Sequence, residues 1–271
     1  MTIKKAFIFV ALFIGIFLST SITFGFFDRG HELPSVHFEP LYPISKTPDF
    51  INITDTTARK EQFFNYLYPI VVFQNERILK QRITLKKLRN KFGQDILSEA
   101  ETEWLTSLSK HYGLTDEELM SDTAFVKLLN RVDYLPPDLV LAQAAIESAW
   151  GTSRFATKAN NYFGQWCYTK GCGLVPNKRS QHQKHEVRKF KSVDHAIYAY
   201  LNNLNSGSAY KKIRELRQKM RISNRNYIGT ELAQGLTLYS QEREAYTHKV
   251  KRLIEYNKLD NFVQPITLHH L

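Results

Sequence analysis

Glu147 ends the run Leu141-Ala142-Gln143-Ala144-Ala145-Ile146 and is followed by Ser148-Ala149-Trp150-Gly151. Helical spacing puts it on one stripe with Val140, Gln143 and Ala144. A carboxyl at the end of so apolar a helix, beside Trp150, is partly withdrawn from water, and desolvation disfavours its charged form. The negative end of the helix dipole pushes the same way. Such a carboxyl keeps its proton near neutral pH and suits general acid catalysis, of which protonation of a glycosidic oxygen is one case. An isolated glutamate near a helix end is ordinarily a solvated surface group. The apolar surroundings set this one apart.

Cys167 and Cys172 are the only two cysteines. Two thiols do not complete a structural zinc site, so the expectation is a disulfide closing a short, glycine-containing loop in an oxidising compartment. His182 and His185 lie nearby without third and fourth ligands and read as loop histidines. No metal site is expected.

Glu147-Ser148-Ala149-Trp150-Gly151, then Ser153-Arg154-Phe155-Ala156 and Asn160-Asn161-Tyr162-Phe163-Gly164, resemble the signature of bacterial β-N-acetylglucosaminidases. These are the mannosyl-glycoprotein endo-β-N-acetylglucosaminidase-like enzymes of glycoside hydrolase family 73, among them autolysins and the flagellar rod-penetrating hydrolase. The likeness continues through Cys167, Gly171-Cys172-Gly173, His185-Glu186-Val187 and Asn202-Asn203-Leu204-Asn205 to Leu238-Tyr239-Ser240 and Tyr246, about residues 131–260. It is most like the Bax-type proteins of this group, which also have an exported N-terminus and a helical extension.

The resemblance implies a mainly α (α+β) fold, a lysozyme-like helical domain with a small β-lobe. It implies hydrolysis of the β-1,4 bond after N-acetylglucosamine in peptidoglycan, with Glu147 as acid and no cofactor. Tyr239 matches a family tyrosine that supports the sugar or positions a reacting group. Phe163 and Gly164 would line the cleft floor, where a missing side chain lets sugar approach. Asn161, Trp150 and Trp166 are the other expected substrate contacts, although either tryptophan serves equally as core. Glu186, in the β-lobe, is the candidate second carboxylate, and Asp194 the reserve. The substrate's own N-acetyl group is the alternative nucleophile.

The elements that position these residues follow from local patterns. Pro136-Pro137-Asp138 is a strong helix start, and Gly151 a stop. From Tyr162 to Phe190 the helical pattern gives way to a loop-rich lobe with one or two strands, including Glu186-Val187-Arg188-Lys189-Phe190. Ser192 caps a helix with Val193, Ile197, Leu201 and Leu204 on one face, and a last helix after Ser240 carries Tyr246, Val250, Leu253 and Ile254.

Upstream, residues 56–130 form a helical extension. Pro69 is expected to kink or restart its first helix, Lys80–Lys91 to be a solvated face, and further helices to span Asp95–Tyr112 and Asp116–Leu129. Residues 27–55, with Pro34, Pro40, Pro43 and Pro48, read as an extended tether or a surface arm. The catalytic domain spans 131–262 and a tail 263–271.

Lys4 and Lys5 precede the uncharged stretch Ala6–Leu18, the pattern of an export signal over residues 1–26. If uncut, Ala6–Phe27 has 22 residues, enough to anchor the chain in the inner membrane and leave the rest in the periplasm. With 271 residues, 43% of them hydrophobic, the chain affords a sizeable core. The formal charge of +11 calls for an anionic partner. Export favours the wall polymer over nucleic acid. A lytic transglycosylase and a non-catalytic wall-binding protein are the competing readings.

Overall fold

The computed structural model describes residues 32–41, 46–177, 179 and 183–262. The expected export signal over residues 1–26, His182 and the expected tail 263–271 lie outside them.

Helix α4 (Pro137–Ser148) is the axis of the fold. Ten of its residues are buried, among them Leu139, Val140, Leu141, Ala142, Ala144 and Ala145. The small alanines let neighbouring helices approach closely on more than one side. Helices α1 (Thr56–Phe92), α8 (Gly229–Leu232) and α9 (Glu244–Tyr256) pack against it, as does the 3₁₀ turn Leu259–Phe262. Helix α6 (Val193–Ser206), capped by Ser192 as expected, packs on α1. Helices α2 (Glu99–His111), α3 (Asp122–Arg131), α5 (Arg154–Ala159) and α7 (Lys211–Ile222) complete the helical part.

The β-lobe is a three-stranded antiparallel sheet of order β1-β3-β2, made of β1 (Trp166–Cys167), β2 (Gly173–Leu174) and β3 (Glu186–Arg188). Trp166 pairs with Val187, Cys167 with Glu186, and Gly173 with Arg188. A Cys167–Cys172 disulfide, with Cα atoms 6.2 Å apart, ties β1 to the turn before β2. Gly173 has no room for a side chain, because a Cβ there would collide with the Val187 carbonyl. The fold is therefore mainly α with a small β part.

Several upstream expectations are corrected. Pro69 neither ends nor restarts α1, which is one helix of 37 residues. Pro69 and Asn65, whose carbonyl loses its amide partner, are both exposed, so water can satisfy that group. Lys80–Lys91 is solvated on one side only: Lys80, Lys87, Arg89 and Lys91 are exposed, whereas Gln81, Arg82, Leu85 and Leu88 are buried. Helix α2 starts at Glu99 behind a Ser98–Glu101 capping box. The expected Asp116–Leu129 helix splits into a 3₁₀ turn, Asp116–Glu118, and α3, which is capped by Ser121.

The proline-containing segment is a packed arm. Val36 and Phe50 are buried, and the Pro34 carbonyl accepts from Trp104 Nε1 at 2.6 Å. Asp194, the reserve carboxylate, accepts from the Leu41 amide and Gln74 Nε2 at 2.6 Å each, so it joins arm, α1 and α6.

Candidate active site

Glu147 lies in the last turn of α4, where the chain stops abruptly. Ala149, Trp150 and Gly151 all have positive φ, and Gly151 presses its Cα face against the Phe50 ring. Ser148 locks the turn: its hydroxyl donates to the Ala144 carbonyl at 2.6 Å and accepts from the Gly151 amide at 2.8 Å. The Ser-x-Trp-Gly after Glu147 is thus a helix-stop device that fixes where the carboxylate points.

A second turn faces it. The buried Asn161 side chain accepts from the Phe163 and Gln165 amides and donates to the Gln165 and Arg188 carbonyls. These bonds hold Gly164 at φ +63, where a Cβ would stand 3.2 Å from Glu147 Oε2. Any side chain at 164 would crowd the carboxylate. Tyr239 donates to the Phe163 carbonyl at 2.6 Å and clamps the turn from the other side.

Beneath Glu147 runs a chain of buried polar groups. Tyr246 donates its hydroxyl to the Glu147 carboxylate and accepts from Gln143 Nε2 at 3.1 Å. Gln143 in turn accepts from the Tyr200 hydroxyl. Tyr239 stacks on Tyr246 with ring centres 5.3 Å apart, and Phe163 on Tyr200 at 3.9 Å. Burial among these rings pushes the Glu147 carboxyl above its ordinary range; the Tyr246 bond and Lys249 oppose the shift, and Glu242 adds to it.

Glu147 opens into a cleft of about 930 Å³ lined by Phe163, Gly164, Trp166, Tyr210, Tyr239 and Glu242. Five sequence-predicted residues meet here: Glu147, Phe163, Gly164, Trp166 and Tyr239. Trp166 is half exposed and stacks on His185 at 3.9 Å.

Three do not. Trp150 turns to α1, with its ring 5.3 Å from Phe64 and Lys60 over its face at 5.0 Å, because its left-handed backbone directs it away from the cleft. Asn161 is 1% exposed and spends its side chain on the turn. Glu186 is buried in the β-lobe, where it accepts from the Gly171 and Gly173 amides at 3.0 and 2.8 Å. Those bonds hold its carboxyl below the ordinary range and leave it outside the cleft lining. It braces the loop that the disulfide closes.

Sequence reasoning missed Glu242, which lines the cleft from the loop before α9, and the supporting roles of Tyr200, Tyr210 and Gln143. Glu242 belongs to no periodic element. Tyr200 lies on α6 and Tyr210 in the 3₁₀ turn after it, and nothing in their spacing separates a cleft tyrosine from core packing.

A half-buried glutamate with a raised pKa heads a cleft in a mainly helical domain with a small β-lobe, an arrangement suited to acid-assisted cleavage of glycans. Residues 122–259 match the family described as mannosyl-glycoprotein endo-beta-N-acetylglucosaminidase, and the chain belongs to that glucosaminidase family. Protein bax of Escherichia coli (strain K12) is 30% identical over 214 residues, 79% of this chain and 75% of that protein. No solved structure matches the chain.

Proposed function

We propose that this chain is an exported peptidoglycan hydrolase that cleaves the β-1,4 bond after N-acetylglucosamine, with Glu147 as the general acid. One observation carries the reading: a half-buried glutamate, raised in pKa by its aromatic surroundings, opens onto a long cleft beside a side-chain-free glycine. Glu147 gives its proton to the glycosidic oxygen as the bond to the anomeric carbon breaks. Trp166, exposed on the cleft wall, offers a face for sugar stacking.

Glu242 takes the role that the sequence suggested for Glu186. It and Glu147 are the two carboxylates among the described residues of the cleft lining. Glu242 is exposed in the loop before α9, where its carboxyl can activate water or steady the cationic sugar. Next to it Arg243 has φ 49 and ψ −113, a costly conformation for a side-chain-bearing residue. The disulfide and the basic, apolar N-terminal residues support work in the periplasm, with or without an inner-membrane tether.

The test digests purified peptidoglycan with the chain, beside Glu147→Gln and Glu242→Gln, followed by borohydride reduction and mass spectrometry. Hydrated fragments ending in reduced N-acetylglucosamine are expected, with a loss of about 10²–10⁴-fold in rate for Glu147→Gln. Anhydro-muramyl ends would make the chain a lytic transglycosylase. No cleavage by the folded wild type would leave a wall-binding protein.

A further inference from the structure

On a face that shares no residue with the cleft, Arg82, Arg89, Arg214, Arg217 and Arg221 line a cavity of about 220 Å³ around a single carboxylate, Asp133. The arginines come from two helices that both pack on α3. Arg82 and Arg89 are two turns apart on α1; Arg214, Arg217 and Arg221 form one stripe on α7. Converging groups of one charge repel, so their donors need accounting.

Part of the charge is structural. Arg217 is 1% exposed and gives its donors to the carbonyls of Asn130, Asp133 and Tyr134 and to Asn205 Oδ1. Arg214 donates to the Leu204 and Gly207 carbonyls, and Arg221 pairs with Asp133. Arg82 donates to the Leu129 and Val132 carbonyls at the end of α3.

A surplus remains. Arg82 is 4% exposed, yet its Nε is buried without a hydrogen-bond partner. Arg89 is exposed at the cavity's edge. Lys86, one turn from both on α1, has its pKa lowered by burial and by Arg82 and Arg221. Five guanidinium groups thus meet one anion, with an unused buried donor among them.

We propose that this cavity binds a phosphate group, supplied either by a free phosphate or by a lipid headgroup. Guanidinium groups reaching one cavity from two different helices suit a tetrahedral oxyanion, whose oxygens point in several directions, better than a planar carboxylate. Val126 and Ile222, 55% and 78% exposed, line the same cavity and give an apolar margin for an ester substituent.

The full chain, held in non-ionic detergent at fixed ionic strength, is titrated calorimetrically with inorganic phosphate and with glycerophosphoglycerol, a soluble phosphodiester headgroup. Saturable binding of either supports the site; the phosphodiester assigns it to lipid, inorganic phosphate alone to a free anion. The Lys86→Gln/Arg89→Gln double variant changes only exposed or half-exposed groups and is expected to fold. It should weaken binding about tenfold while peptidoglycan cleavage and Tm hold. Failure of both ligands to saturate, or equal binding by the folded double variant, overturns the proposal.

Discussion

Glu147 is pulled two ways, and the balance sets its pH behaviour. Burial raises its pKa, and the Tyr246 hydroxyl, by bonding the charged form, lowers it. Removing that hydroxyl therefore moves the pKa further up. A general acid works while protonated, so activity falls as pH rises through its pKa. Tyr246→Phe should accordingly extend the basic limb of the kcat/KM profile to higher pH, at a stability cost of about 1 kcal/mol for the lost hydrogen bond. A limb that stays in place, or moves to lower pH, would show that another group governs it. The residue-level surprise is Trp150. A sugar-stacking role was one reading of a tryptophan three residues after the acid, but three successive left-handed residues reverse the chain and deliver the ring to α1.

The β-lobe shows what an element needs before its side chains can be assigned roles. Its strands have two, two and three residues, too short for any alternation to declare them, and its coherence comes from the disulfide and from Glu186. We expect Glu186→Gln to keep glycan cleavage within about threefold, where loss of a catalytic base costs about 10²–10⁴-fold. Because the folded state holds Glu186 below its ordinary range, its stabilisation is present above the unfolded pKa and lost as pH falls through the folded one. The Tm deficit of Glu186→Gln should therefore be visible at neutral pH and close on acidification; a hydrolysis defect with unchanged Tm would restore the catalytic reading. Helix α6 was legible because its Ser192 cap and apolar stripe coincide, α4 through the prolines and Asp138 at its start, and α9 through its apolar stripe alone. Helix α7 was not: its buried face includes Arg214 and Arg217 with Ile213 and Met220, and a buried arginine looks exposed in any hydropathy pattern. The same blindness hid Arg82, the buried arginine within Lys80–Lys91. Glu147, Phe163, Gly164 and Tyr239 were legible through motif spacing, whereas Glu242 reaches the cleft from an aperiodic loop that only the packed chain brings there.

At the scale of the molecule, the upstream segments and the family-matched region share one core. The arm ahead of α1 is held by Gln81 and Trp104 donating to the Ser35 and Pro34 carbonyls, by Tyr198 donating to the Val36 carbonyl, and by the buried Asp194. Its most consequential contact is Phe50, 2% exposed, which lies 5.5 Å from the Phe63 ring and directly against Gly151. That places a residue from outside the family-matched region behind the turn that aims Glu147. Phe50→Ala would open a cavity at the junction of arm, α1 and α4, costing about 3–5 kcal/mol, or roughly 10 °C in Tm for a domain of this size. Since the cavity adjoins the Ser148–Gly151 turn, kcat should fall with stability, and unfolding should remain one transition. Denaturation followed by circular dichroism and by residual cleavage would test this: if the arm melts apart from the rest, or kcat is unchanged in the folded variant, then the arm is a passive tether and the site is positioned by α4 alone.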